Sequence, residues 1–243
     1  MKPANVYQLV LAEKLASVRG AAMRLGFAFL LGLPFVLAAM PIRIKAAGLV
    51  MLIVFTSFFG AAVGLVRWRT EGRITRLRVL PIPAWKIFAD YLLANSSVDL
   101  LQTGPVLVLL IVLNGNVTDS GLLAAAAGLF FATVLILNLL GILLGWAMKS
   151  NPEVHLFGGV AVGLIAFFSG LFPVPDSISR LVTAVASWNP VSTLARTLEK
   201  IMTGGYGMSG LATVAGACFA VALLLIIILR VYDWNGLFAS RQA

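Results

Sequence analysis

Charge is scarce in this sequence, and acid is scarcer still. Of 243 residues only 11% are Asp, Glu, Lys or Arg, and 9 acids face 18 bases. Soluble domains carry about 25% charged residues, so the shortage excludes a chain that folds wholly in water. The rest of the composition, 60% hydrophobic with mean hydropathy +1.01, fits an integral membrane protein. The one cysteine, Cys218, lies between Ala217 and Phe219 in an apolar run. It excludes an intrachain disulfide and reads as a small core residue. With a single histidine, His155, no soft-metal cluster can assemble. A Gly-x-x-x-x-Gly-Lys-[Ser/Thr] phosphate loop is also lacking, since Met148 precedes Lys149-Ser150, so no ATP binding of that kind is expected. A serine hydrolase pair is excluded as well. Phe167, not Gly, stands two positions before Ser169, and His155 lies roughly four turns away on the same predicted helix. The net charge of +9 would suggest nucleic acid in a soluble protein; here its placement beside apolar spans makes it a topology signal, and no nucleic-acid partner is expected. The length suits one membrane domain, residues 1–243, without a second, soluble one.

What is present is a series of long apolar runs. They predict an all-α protein with six membrane spans, at residues 22–40, 46–66, 91–113, 121–148, 154–172 and 210–229. The first is interrupted by Pro34 and is read as a retained helix, because Ala38-Ala39-Met40-Pro41 is a poor cleavage site. Ahead of it, residues 1–24 carry Lys2, Lys14, Arg19 and Arg24 with Tyr7, Leu11, Leu15 and Val18 at helical steps, which predicts an N-terminal interfacial helix. Arg43 and Lys45 form a very short turn between spans one and two, Asn114-Gly115-Asn116 marks another after span three, and Lys149–Glu153 is a tight polar loop. Basic residues concentrate in the N-terminal segment, the loop after span two, Lys149 and the C-terminal end. Only Arg43, Lys45, Arg180, Arg196 and Lys200 fall on the other side. The positive-inside rule then puts both termini in the cytoplasm, in the cell membrane.

One stretch, residues 67–86, interrupts the apolar pattern. Arg67, Arg69, Arg73, Arg76, Arg78 and Lys86 fall within it, and Glu71 alone opposes them. Ile74 and Leu77, with Val79 or Leu80, make a short apolar stripe at helical spacing that Pro81 and Pro83 end. A short helix across the cytoplasmic mouth of the bundle is expected, either as a handle for a soluble partner or as an anchor touching anionic headgroups. On the opposite side, residues 173–209 carry two short amphipathic patterns. Asp176 or Ser177 is expected to cap the first, with Ile178, Leu181, Val182 and Val185 on one face. Trp188-Asn189-Pro190 breaks the pattern, and Ser192 is expected to cap a second helix with Leu194, Leu198, Ile201 and Met202 on one face. Trp188 is expected at headgroup depth.

Inside the spans polar residues are few. Asp99 is the one acid well within a span, with Asn95, Ser96, Ser97 and Gln102 on the same predicted helix. Embedded carboxylates cost about 3 kcal/mol on insertion scales and face a cavity or a partner. Asp99 and Gln102 are therefore candidate pathway residues, against a plain interhelical hydrogen bond as the alternative. Asn138 reads as interhelical glue, and His155 beside Glu153 as an interfacial residue. Gly60-x-x-x-Gly64, Gly141-x-x-x-Gly145 and Gly159-x-x-x-Gly163 read as helix packing.

Taken in order, the chain resembles the membrane-spanning permease subunit of ABC type-2 exporters over essentially its whole length. Two signatures carry the resemblance. Glu71-Gly72-Arg73-Ile74-Thr75-Arg76-Leu77-Arg78-Val79-Leu80-Pro81 is similar to the family's coupling-helix segment. Gly72, Leu77, Val79 and Pro81 match it, while Arg73 and Leu80 stand where Thr or Ser is usual. Phe168-Ser169-Gly170-Leu171-Phe172-Pro173, with Trp188-Asn189-Pro190 after it, is similar to the family's stretch around the outer helices. The resemblance implies that Glu71, Gly72, Arg73, Ile74, Arg76, Leu77 and Pro81 form the ATPase-coupling helix. It makes Gly170, Phe172, Pro173, Asn189 and Pro190 the outer-helix motif. It further implies no cofactor in this chain, ATP and Mg being bound by a separate ABC ATPase subunit. The partners it implies are that ATPase, a second permease copy or paralogue, and membrane lipid. The activity is alternating-access export of a hydrophobic or drug-like small molecule, the chain itself being no enzyme. A polysaccharide or lipid permease, and a standalone ion-coupled carrier or channel, are the alternative readings.

Overall fold

A computed structural model describes residues 5–15, 18–77, 82–115 and 120–204, with single positions at 216 and 223. The expected sixth span at 210–229, Cys218, and residues 78–81 with Pro81 lie outside the described residues. Every regular element among the described residues is helical. In chain order they are α1 (Val6–Leu15), α2 (Val18–Leu37), α3 (Ile42–Val54), a π-helical turn (Phe55–Phe59), α4 (Gly60–Thr70), α5 (Arg73–Leu77), α6 (Ala84–Asn114), α7 (Ser120–Ala147), α8 (Asn151–Phe168), α9 (Asp176–Trp188) and α10 (Pro190–Thr203).

Among the described residues four helices are long and apolar enough to cross a membrane: Ile42–Thr70, Trp85–Asn114, Ser120–Ala147 and Asn151–Phe168. Leu25–Leu37 is a shorter apolar helix. The boundaries differ from the sequence reading for local reasons. Arg43 and Lys45 are not a turn but the first turn of α3, which starts directly after Pro41, because proline fixes φ without needing a donor there. Pro83 does not end a helix but opens α6 as its N-cap. The α8 helix begins at Asn151, inside the expected polar loop, because the Ser150 side chain accepts from Glu153 N and Pro152 occupies the first turn. It stops at Phe168, where Gly170 takes φ +65°. Asp176 and Ser177 do not cap α9; Pro175 precedes it without a side-chain cap. Nor does Ser192 cap α10, because Asn189 does, its Oδ1 accepting from Val191 N at 3.0 Å.

In the N-terminal segment α1 and α2 are described on either side of residues 16–17, which lie outside the described residues, and α1 buries Val6 and Val10 more fully than Leu11 or Leu15. Among the described residues two large apolar cores form, beside a small cluster of Ala62, Val66 and Val154. One joins α3, α6, α7 and α10, with Leu49, Ile53, Leu110, Leu129, Leu194 and Leu198 fully enclosed. The other gathers α1, α4, α5 and the first half of α6 around Trp68, Ile74, Leu77, Phe88 and Leu92. The α10 helix is thus a core element, and Leu194, Leu198, Ile201 and Met202 are all buried as its spacing predicted. On α9 the predicted face splits: Val182 is buried, while Leu181 and Val185 are exposed.

Of the three glycine pairs, one is a seam. A Cβ on Gly145 would lie 2.5 Å from Ala62 O and 3.0 Å from Ala62 Cα, and one on Gly141 would lie 2.9 Å from Phe58 C. The backbones of α7 and of the α3–α4 span therefore touch, as small residues permit. Gly60, Gly159 and Gly163 have nothing within 4 Å of such a Cβ.

Candidate functional site

The basic stretch builds a short helix held on one side and open on the other. At Gly72 the chain turns with φ +67°, a left-handed conformation that side chains bearing Cβ resist. Gly72 N donates to Arg69 O at 3.0 Å, ending α4, and α5 starts at the next residue. Ile74 and Leu77, three residues apart and therefore on one side of the helix, both face inward and are buried. They pack in the core with Trp68, Ile87 and Phe88. Thr75 and Arg76 face outward and are exposed. Of the predicted coupling residues, then, Arg76 and Glu71 lie on the open surface, whereas Ile74 and Leu77 hold the helix to the bundle.

Polar contacts brace the same helix. Trp68 Nε1 donates to Glu13 Oε2 at 3.0 Å, and Arg73 forms an ion pair with Glu13. Arg73 Nε also pairs with Glu71 Oε2 at 2.6 Å, and Arg67 Nε with Glu71 Oε1 at 2.7 Å. The hydrogen bond from Arg67, with the charges of Arg67 and Arg73, holds the Glu71 carboxyl below the usual carboxylate range. On the other flank, Arg69 donates to Trp146 O at 3.1 Å and to Met148 O. It thereby caps carbonyls at the end of α7, a favourable place for a cation. The α1 helix is fixed to α6 by Tyr7 Oη donating to Ser97 Oγ at 3.2 Å and by Lys14 donating to Asn95. The α4–α5 corner is thus tied at once to α1, α6 and α7. Glu13, Trp68 and Arg69 were not signalled as partners by the sequence, because Glu13 and Trp68 are far apart along the chain and neither belongs to a motif.

Asp99 and Gln102 are both buried, 6% and 8% exposed. Asn138 Nδ2 donates to Asp99 Oδ2 at 2.8 Å and to Val134 O at 3.0 Å, which links α6 to α7. Thr103 and Thr133 are buried at nearby positions on these two helices. Asn138 Oδ1, Thr133 Oγ1 and Ser96 Oγ have no hydrogen-bond partner among the described residues. Each such buried group costs about 1–3 kcal/mol, so the interior here is polar at a price in stability. The outer-helix motif is a pair of turns. Gly170 ends α8 with its φ of +65°; Phe172 and Pro173 are exposed beyond it; Asn189 caps α10 and Pro190 starts it.

Among comparisons with known proteins, no curated protein matches the chain. The family described as ABC-2 family transporter protein matches residues 43–231, which include the α3–α4 span, α5, α9 and α10. Members of that family are membrane transport components that generally work with an ABC ATPase subunit. The apolar helices, the braced corner at α5 and this match over most of the chain agree: the protein belongs to the ABC-2 transporter family, as an ABC type-2 permease of the membrane.

Proposed function

We propose that this permease exports a hydrophobic or drug-like small molecule from the cytoplasm, powered by a separate ATPase that docks on α5. The observation that carries the reading is the two-sided build of that helix. Ile74 and Leu77 are buried, Thr75 and Arg76 are exposed, and Glu13 ties the helix to α1 through Trp68 and Arg73. A force applied at Thr75 and Arg76 therefore passes into α1, α4 and α6 instead of bending a loose loop. Transmission of this kind requires packed elements that move as units. The six-span layout, with the last span at 210–229 and both termini in the cytoplasm, rests on the hydropathy pattern and the positive-inside rule. A second permease copy is supported by α8: only 11% of its apolar window is buried, and Leu156, Phe157, Val160 and Leu164 are exposed. ATP and Mg belong to the partner ATPase.

The test is a pull-down of the full chain from solubilised native membranes, beside Arg76→Glu and a distant control, Arg180→Glu. A P-loop ATPase is expected with the wild type and the control, and is expected to be lost with Arg76→Glu. Leu77→Glu does not serve, because burying a carboxylate in the core would unfold the corner. If no ATPase accompanies the wild type, docking on α5 is wrong and a standalone carrier becomes the reading to pursue.

A further inference from the structure

A cavity of about 260 Å³ opens between the start of α3, the turn after α8, and helices α9 and α10. Its polar lining comprises Arg43, Ser169, Thr183, Ser192, Arg196 and Glu199. This is a dense polar cluster for a chain so poor in charge, and its charges are of two kinds. Arg196 is fixed in place: its Nη2 donates to Ala186 O at 2.7 Å and its Nε to Ser192 O at 3.4 Å. Arg43 is exposed and is bound by no ion pair among the described residues, and the same holds for the Glu199 carboxylate. Two guanidiniums and one carboxylate thus share a cavity without neutralising one another.

The wall of the cavity shows the depth at which it opens. Thr183 and Ala186 of α9 line it, and Leu181, Val185 and Trp188 on another face of α9 are exposed, Trp188 by 88%. Those three recur at i, i+4 and i+7, one continuous apolar stripe. A short helix with such a stripe and a terminal tryptophan lies at the boundary of headgroups and acyl chains. The cavity beside it is therefore level with lipid headgroups.

We propose that this cavity binds the headgroup of a zwitterionic phospholipid from the leaflet on the α9–α10 side. The phosphate is held by Arg43 and Arg196, because guanidinium forks match phosphate oxygens. The headgroup ammonium lies at Glu199, and the hydroxyls of Ser192 and Thr183 supply further hydrogen bonds. A free phosphate ion offers the first half of this chemistry and none of the second.

The test is native mass spectrometry of the delipidated full-length protein, titrated with phosphatidylethanolamine, phosphatidylglycerol or diacylglycerol. Phosphatidylethanolamine is expected to be retained about tenfold more strongly than diacylglycerol, the size of one charge-assisted hydrogen bond. Arg43→Gln, which breaks no side-chain hydrogen bond or ion pair among the described residues, is expected to lower that retention several-fold, and Arg180→Gln to leave it unchanged. Glu199→Gln is expected to remove the preference for phosphatidylethanolamine over phosphatidylglycerol. Equal retention of diacylglycerol, or an Arg43→Gln variant that behaves as Arg180→Gln does, would overturn the site. Displacement of the lipid by an equal concentration of inorganic phosphate would overturn its assignment to lipid.

Discussion

Replacing Gly145 with alanine adds one methyl group where two helix backbones touch. Its carbon would fall 2.5 Å from Ala62 O, 3.0 Å from Ala62 Cα and 3.1 Å from Ala62 C. All three atoms belong to the main chain of α4, so no side-chain rotamer can relieve the contact. The helices must separate, and a gap of about 0.5–1 Å forfeits a quarter to a half of each dispersion contact across the seam. In a membrane this matters more than in water, because lipid tails are as apolar as the helices and packing is what holds them together. Overpacking of this kind costs about 1–3 kcal/mol, while exchanging glycine for alanine within a helix returns about 1 kcal/mol. Given contacts this short, the net loss expected is about 2 kcal/mol. Gly60→Ala, in the same α3–α4 span, is the matched control: its methyl meets nothing within 4 Å, so only the propensity gain of up to about 1 kcal/mol applies. Thermal unfolding of the purified chain in detergent, followed by tryptophan fluorescence, separates the two. Gly145→Ala should unfold at a lower temperature than the wild type, and Gly60→Ala at the same or a higher one. Equal midpoints for the two variants would refute the seam.

Three further outcomes are expected. Gly72→Ala places a Cβ at φ +67° and should cost about 1–2 kcal/mol, with Gly72→Asn milder; an unchanged unfolding midpoint for Gly72→Ala would show that the turn after α4 is not left-handed. Asp99→Ala and Asn138→Ala should each destabilise by about 1–2 kcal/mol, since each removes the buried hydrogen bond from Asn138 Nδ2 to Asp99 Oδ2, and the double variant should lose less than the sum; strict additivity would deny the α6–α7 bond. The Glu71 carboxyl is held low by Arg67 first and Arg73 after it, so its pairs stabilise the folded state fully above the ordinary glutamate range and lose that effect as pH falls through the depressed value. Because the group is exposed, the difference between wild type and Glu71→Gln should be small, fall with added salt and vanish in acid; a difference that persists in acid would exclude this origin.

The candidate surface was visible in the sequence because its signal is local. A cluster of arginines between apolar runs interrupts the spans, and Ile74 with Leu77 at helical spacing predicts a short helix there, whatever the rest of the chain does. The same holds for the spacing of Leu194, Leu198, Ile201 and Met202, which marked the buried face of α10. What the local signal could not say is which side of a short helix is covered. Ile74 and Leu77 were apolar and spaced to share a face, and only the neighbouring Trp68, Ile87 and Phe88 make that face the anchored one, leaving Thr75 and Arg76 outside.

Composition and hydropathy alone determined that this is a helical membrane protein, because a chain so short of charge cannot be solvated by water and must satisfy its backbone internally. Tertiary structure alone decided the partnerships between distant residues. The Glu13 carboxylate meets Trp68 and Arg73; buried Lys45 donates to Asn114 Oδ1 at 2.6 Å and to Val36 O at 3.3 Å. Of three equally spaced glycine pairs, only Gly141 and Gly145 lie together against another backbone. The physical reason is the same in each case: spacing along a helix fixes which residues share a face, and the packing of other helices fixes what that face meets.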